Sequence, residues 1–373
     1  MPGLQKSLPS EHYLSVAVHD RERERIFYRE WFCVGRVHQL QSPGDYLISD
    51  VAGESILVVR TKENELAAHY NVCRHRGCRL ALEDPDPALR SDPPHASGHW
   101  HNAIRCPYHS WAYGLAGDLR GAPFMSDVEG FRKSDFSLHP VGVDVWGGFV
   151  FANLTPEHAP PLIESLDPIP GRLTRYPLED LRVARRVTYD VAANWKVVME
   201  NYNECYHCAG VHPELCEIVP AFKDRGGAHL DWDKGIPHRE GAFTFTASGT
   251  SDRRPFATLD DDERTRHKGE LIYPNLLLSL AADHVTALLL WPRGPGHTTI
   301  TCDFLFDPAE MQRPTFDPSD AVDFWDRINR QDWVVCEGVQ KGMGSRAFRT
   351  GYFAPMEDPS LDIRRYVSER MDD

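Results

Sequence analysis

Two short segments, Cys73-Arg-His75 and Cys106-Pro-Tyr-His109, constrain this chain more than any other feature. Each supplies one thiol and one imidazole. Each follows a run that reads as a β-strand, so a tight loop can aim both side chains at one point. Together they form a set of two sulfurs and two nitrogens. Tetrahedral zinc accepts such a set, but zinc fingers usually draw a Cys pair from one segment and a His pair from another. One of each per loop suits a two-iron cluster whose irons differ, with both cysteines on one and both histidines on the other.

The rest of the chain shows what surrounds these loops. Its 373 residues suggest two or three domains at about 150 residues each. Residues 19–32 read as a helix. From Cys33 to Leu154 short β-like runs follow one another, broken by Gly, Pro and Asp: Tyr46–Val51, Ser55–Arg60, Leu66–Tyr70, Ile104–Cys106 and Trp146–Phe151. Residues 155–178 are proline-rich and read as a connector with at most a short helix. Beyond Ala184, strand-like segments alternate with helices at Trp195–Tyr206 and Asp320–Lys341. Leu271–Trp291 reads as two buried strands joined by a turn at Ala281–His284. The expected class is therefore α+β, an all-β module followed by an α+β domain with an antiparallel sheet. We place a helical segment at 1–32, packing on the α+β domain, the β module at 33–155 and the α+β domain at 156–373.

Composition excludes several alternatives. Lys and Arg total 41 against 55 Asp and Glu, a formal charge of -14, which argues against nucleic acid as a partner. No run reaches the roughly 18 apolar residues of a membrane span, and the first residues lack the apolar core of an export signal. The expected location is the cytoplasm, where nine cysteines stay reduced and call for metal or reactivity rather than pairing. Cys33, Cys302 and Cys336 read as core. A Pro-rich loop over 83–102 carries His95, His99 and His101, and a solvated insertion explains these better than a metal.

A second constellation lies in Asn194–Pro213, which ends in His207-Cys-Ala-Gly-Val-His212-Pro. Two histidines five apart sit roughly 140° from one another on a regular helix. They converge only if the helix ends or widens there, and Gly210 and Pro213 favour such a break. A ferrous site with two histidines needs a carboxylate and an open face for O₂ and substrate. Asp332, on a helix with apolar Ile328, Trp333, Val335 and Cys336, is the best source, because a buried carboxylate needs a partner. Asp323, Asp326 and Glu337 read as surface charges.

The loops C-R-H-R-G-C and C-P-Y-H-S-W resemble those of Rieske [2Fe–2S] domains. The first contains Cys78, but Tyr108 stands where respiratory Rieske proteins carry its disulfide partner, so the cross-loop disulfide is impossible. The resemblance is to the oxygenase branch. From about residue 25 onward the chain resembles the catalytic α subunit of Rieske-type non-haem iron oxygenases. The segments N-E-C-Y-H-C, H-P-E-L-C and F-W-D-R-I-N-R-Q-D-W are most similar to the choline, glycine betaine and carnitine monooxygenase branch. The resemblance implies that Cys73, His75, Cys106 and His109 hold the cluster and that His207, His212 and Asp332 hold a mononuclear Fe(II). It implies a role for Glu204 as a bridge between the cluster of one subunit and the iron of the next, in a homotrimer or other homo-oligomer. Glu204 lies three residues before His207, on the same side of a helix.

No glycine-rich nucleotide fingerprint follows a strand. Electrons from NAD(P)H are therefore expected only through a separate flavin or iron–sulfur reductase. Arg74, Arg76, Arg79 and Arg105 flank the cluster, either as a patch that docks this donor or as ordinary surface charge. The branch implies hydroxylation or N-demethylation of a small quaternary or tertiary amine such as glycine betaine. An aromatic box for the cation could draw on Tyr202, Tyr206, Trp232, Phe243, Phe245 and Trp291. The alternatives are oxidation of an aromatic ring or aryl ether by the same machinery, by a monooxygenase or a dioxygenase, and a non-enzymatic Rieske electron carrier.

Overall fold

A computed structural model describes residues 4–82 and 97–371. The chain forms two compact units, one of residues 27–165 and one of residues 1–26 with 166–373. These bounds differ from the expected 33–155 β module because the segment before Cys33 is tied into it. Asn153 Nδ2 donates to Arg29 O at 2.6 Å, Thr155 Oγ1 to Tyr28 O at 3.2 Å, and Trp31 Nε1 to Pro160 O at 2.8 Å. The helix expected over 19–32 is accordingly shorter. An α-helix covers Val16–Glu22, a wider turn follows to Phe27, and Phe32–Arg36 is already a strand.

The first unit is built on an antiparallel sheet of seven strands in the order Phe32–Arg36, Phe149–Asn153, Pro140–Trp146, Leu66–Tyr70, Glu54–Arg60, Asp45–Val51, Ser97–His99. A three-stranded sheet, Ile104–Arg105, Ala112–Tyr113 and Leu119–Gly121, carries the second loop. The strand expected over Trp146–Phe151 is instead a hairpin corner. Gly147 and Gly148 both adopt positive φ there, which glycine allows without steric cost. The end of the Pro-rich loop also differs from expectation. Ser97–His99 pairs with Asp45–Leu47, and His99 Nδ1 lies 2.9 Å from Asp45 Oδ1. His95 lies outside the described residues.

The second unit carries a six-stranded antiparallel sheet in the order Arg182–Val191, His297–Phe306, Val285–Gly294, Leu276–Leu280, Arg266–Ile272, Ile236–Pro237. Leu271–Trp291 therefore contributes to three strands rather than two, because Tyr273-Pro274 interrupts the ladder where proline cannot donate. The turn at Ala281–His284 is present, closed by Ala281 N donating to His284 O. Two helices pack together beside the sheet, Trp195–Tyr202 and Ser319–Met343. The first is shorter than the expected Trp195–Tyr206. Its start is fixed by Asn194, whose side chain accepts from Lys196 N at 3.0 Å and donates to Pro295 O at 2.7 Å, satisfying a buried N-cap.

The N-terminal residues belong to this second unit through charge as well as apolar packing. Lys196 and Glu22 are both fully buried, with Nζ to Oε1 at 2.6 Å. Tyr13 donates to Glu200 Oε1 at 2.6 Å. Enclosure pushes Glu200 up to about 7, against the opposing pull of the Tyr13 hydrogen bond and Lys196. A carboxylate raised in the folded state favours folding while protonated. That contribution is complete below its ordinary value of 4.5 and is lost as pH rises through about 7. Glu200→Gln, which keeps an acceptor for Tyr13, should therefore gain stability over the parent above pH 7 and show little difference near pH 5. Denaturant midpoints at the two pH values check this.

Candidate metal centres and active site

In the first unit, the two Cys–His loops fold alike. Cys73 N donates to Cys78 O at 2.8 Å and Gly77 N to Cys73 O at 3.0 Å; Cys106 N donates to Trp111 O at 2.8 Å and Ser110 N to Cys106 O at 3.1 Å. Both fourth positions after the Cys, Gly77 and Ser110, have positive φ. The matching backbone turns bring the four side chains into two layers. Cys73 and Cys106 are buried with Leu57, Ile104, Trp111 and Tyr113, whereas His75 and His109 are exposed with ring centroids 4.7 Å apart. Trp111 stacks on His75 at 4.9 Å.

The sulfur side is prepared for thiolates. The Tyr113 hydroxyl accepts from Arg74 N at 3.1 Å and lies 3.2 Å from Cys73 Sγ. Its oxygen already accepts, so its own proton is free to point at the sulfur. Burial pushes the Cys73 thiol up, so binding a cation is what would stabilise the thiolate there. Two buried sulfurs and two exposed nitrogens fit a cluster with inequivalent irons. None of the nine cysteines is held in a disulfide. Of the flanking arginines, Arg74 is structural, since it donates to Ser137 O at 2.6 Å.

In the second unit, His207, His212 and Asp332 converge, with one ligand-type atom from each lying within 4.8 Å of the others. The helix Trp195–Tyr202 ends before His207. A short turn of helix, Cys208–Val211, separates the two histidines, and Pro213 opens the next helix, Pro213–Ile218. This break turns both imidazoles toward one point. Gly227, at φ 71°, packs against the same turn; a Cβ there would lie 2.8 Å from Cys205 Cβ. Asp332 comes from the long helix, with Oδ1 2.8 Å from His212 Nε2 and 3.3 Å from His207 Nε2.

Each imidazole is held by its other nitrogen. His207 Nδ1 is 2.6 Å from Glu204 Oε1, and His212 Nδ1 is 2.7 Å from Gln331 Oε1. Both Nε2 atoms therefore face Asp332. Burial works against a charged His207, but its hydrogen bonds with Asp332, Cys208 and Glu204 overcome this and hold the imidazole up at about 12. Two imidazoles and a carboxylate whose ligand atoms converge in this way could hold a metal ion, and this donor set is of the kind suited to Fe(II). Glu204 reaches His207 from a turn rather than from a helix face, as the helix has already ended; its Oε2 also accepts from the Tyr206 and His207 backbone N–H groups. Of the rival carboxylates, Asp323 is exposed and the other two are engaged elsewhere. Asp326 accepts from Tyr189 and Arg330, and Glu337 from Ala192 N.

A cavity of about 240 Å³ opens over the triad. Of the six aromatic candidates, Tyr202 and Trp232 line it. Phe245 and Trp291 are buried in the core, and Tyr206 is half exposed. Phe222, His267 and Trp325 line it as well and were not anticipated. Phe222, Trp232 and His267 form a ring triangle with centroids 5.9–6.1 Å apart. Burial lowers His267 to about 3, leaving it neutral. Trp232 fits because Gly269 has no side chain; a Cβ there would approach the indole to 3.1 Å.

Comparison with known proteins agrees with the two units. The Rieske [2Fe-2S] domain family matches residues 30–132, and the ring hydroxylating alpha subunit (catalytic domain) family matches residues 178–373. The chain belongs to the Rieske non-haem iron oxygenases, as a catalytic α subunit whose cofactors are a [2Fe–2S] cluster and a mononuclear iron. Within that family it is 31% identical to the carnitine monooxygenase oxygenase subunit of Acinetobacter pittii, over 93% of this chain and 88% of that one. It is 30% identical to the glycine betaine monooxygenase oxygenase subunit of Chromohalobacter salexigens, over 98% and 86%. Among solved structures it resembles the quaternary ammonium Rieske monooxygenase CntA in complex with gamma-butyrobetaine. That match has a TM-score of 0.78 and 27% identity, over 99% of this chain and 97% of that one. A carrier without oxygenase function is excluded by the family. No described helix is long and apolar enough to cross a membrane.

Proposed function

We propose that this chain is the oxygenase component that oxidises an N-methyl carbon of a small quaternary or tertiary amine. The observation that carries the reading is the ring triangle of Phe222, Trp232 and neutral His267 in the wall of the cavity over the triad. π-Faces attract an alkylammonium head, and the Arg172 guanidinium that also lines the cavity is engaged by Asp233 and Glu270. The names of the relatives support the same class.

In this reading Cys73 and Cys106 hold one iron of the cluster, His75 and His109 the other, and His207, His212 and Asp332 hold the mononuclear Fe(II). The metals supply electron storage and O₂ activation. The chain's residues do the rest: the rings orient the methyl group, and Glu204 holds the outer nitrogen of His207. Net, an N–CH₃ group, O₂, two electrons and two protons give N–CH₂OH and water. The hemiaminal then releases formaldehyde and the shortened amine. Electrons come from a separate reductase. Glu204 links this site to the cluster of a neighbouring subunit in a homotrimer, and the protein works in the cytoplasm, where its free thiols remain reduced.

The test is a substrate panel with a surrogate reductase, following O₂ uptake and formaldehyde together. Betaines and their dimethylamino counterparts should give both in equal amounts, and Trp232→Ala should raise KM about tenfold or more with a smaller change in kcat. Turnover of benzoate-like acids or aryl ethers, with every amine inert, would replace the amine reading by aromatic oxidation.

A further inference from the structure

His212 differs from His207 in what holds it. His207 Nδ1 meets a carboxylate directly, whereas His212 Nδ1 meets the side-chain oxygen of Gln331 at 2.7 Å. Gln331 Nε2 in turn donates to Glu214 Oε1 at 2.9 Å. Residues 331 and 332 are consecutive on the long helix, and they take opposite edges of the same ring: Gln331 at Nδ1 and Asp332 at Nε2. Glu214 belongs to the helix that begins immediately after His212.

We propose that Glu214 and Gln331 are positioning residues forming a relay that sets the tautomer of His212 and aims its Nε2 lone pair at the metal. A primary amide has one acceptor end and one donor end, and it can rotate to exchange them. The Glu214 carboxylate only accepts, so it fixes the amide with nitrogen toward itself and oxygen toward His212. That oxygen accepts only from N–H, so the ring proton is kept on Nδ1 and the lone pair on Nε2. The unanchored amide could turn its NH₂ toward Nδ1 and draw the proton to Nε2, where it would block ligation. The two histidines would thus be oriented by carboxylates at different distances, Glu204 in contact and Glu214 through one amide. The inference rests on the assignment of His207, His212 and Asp332 as the Fe(II) site.

The test measures Fe(II) affinity of the full chain by competition with a chelator. Acid-labile sulfide and the visible cluster spectrum count the cluster iron and report folding, and the EPR signal of the Fe(II)–nitric oxide adduct reports ligand geometry. Gln331→Met keeps the shape and removes the acceptor. It should weaken Fe(II) binding by about tenfold to a hundredfold, the range for partners behind metal ligands, and broaden the nitric oxide signal. Glu214→Gln should weaken it less, since the amide is then oriented only part of the time. The exchanged pair Glu214→Gln with Gln331→Glu places a carboxylate directly on Nδ1 and an amide donor behind it. It should recover affinity to within about threefold of the parent. Parental affinity and signal in Gln331→Met and Glu214→Gln would overturn the relay. So would failure of the exchanged pair to improve on Gln331→Met, which would show a purely structural contact. If Gln331→Met does not fold, Glu214→Gln and the exchanged pair decide alone. Parental affinity in an Asp332→Ala control overturns the site assignment itself, whatever the Gln331 variants do.

Discussion

Asp332→Ala is expected to keep the visible spectrum of the cluster and to lose product formation. The two losses separate because the cluster loops and the triad lie in different compact units. Among the described residues, Asp332 is the carboxylate whose oxygen approaches both Nε2 atoms, at 2.8 and 3.3 Å. Without it, two neutral imidazoles face the metal with no anionic donor, and a facial triad becomes a pair. Losing even an outer partner of a metal ligand costs up to about a hundredfold in affinity or activity, and losing a ligand should cost at least that. Asp326→Ala serves as the control. Its carboxylate is occupied by Tyr189 and Arg330, so oxygenation should stay near the parental rate. Formaldehyde and O₂ uptake, normalised to cluster absorbance, measure both. An Asp332→Ala protein that turns over near the parental rate would remove Asp332 from the site.

What could be read in advance follows the distance along the chain over which each feature is determined. The Cys–His loops were legible because each loop is a few residues long and its thiol and imidazole are chemically distinctive. His207 and His212 were legible for the same reason, helped by Gly210 and Pro213. Asp332 was reached across more than a hundred residues only because a carboxylate among Ile328, Trp333 and Cys336 is costly without a partner. Phe222, His267 and Trp325 carried no such signal. A lone aromatic reads as core until the sheet and helices bring it to a cavity wall. Gln331 and Glu214 were invisible too, since ordinary polar residues on amphipathic helices read as solvated faces. Ser110 gave no hint of positive φ, whereas Gly77 could have.

Where expectation failed on the fold, a tertiary interaction overrode a local preference. The Arg–Glu run at 21–25 has strong helix formers. The helix nevertheless gives way before Phe32, and the carbonyls of Tyr28 and Arg29 are taken by Thr155 and Asn153. The β-like run Trp146–Phe151 concealed a hairpin corner, and there the two glycines were the better guide.

Glu22→Ala is expected to destabilise the larger unit by about 3–5 kcal/mol, the usual cost of stranding one member of a buried ion pair. Glu22 Oε1 accepts from Lys196 Nζ at 2.6 Å, and its Oε2 accepts from Trp195 Nε1 at 3.0 Å. Both charged side chains are fully buried. Burial already lowers the Lys196 ammonium, opposed by Glu22, so without the carboxylate Lys196 must lose its proton or draw in water. Either outcome disturbs the helix Trp195–Tyr202, which leads directly to Glu204 and the triad. Stability of a domain is only about 5–15 kcal/mol, so the loss should be visible as an early unfolding transition. The pair itself is not expected to be worth that much, because its attraction is offset by the desolvation of two ions. Glu22→Leu combined with Lys196→Met removes both charges and should recover most of the loss, a coupling that a double-mutant cycle measures directly. Cluster absorbance followed during denaturation tells the units apart: in Glu22→Ala the transition of the larger unit should move while that of the cluster unit stays. A Glu22→Ala protein as stable as the parent would mean that Lys196 finds another partner. A double variant no better than Glu22→Ala would locate the loss in the Trp195 hydrogen bond and the packing rather than in the stranded charge.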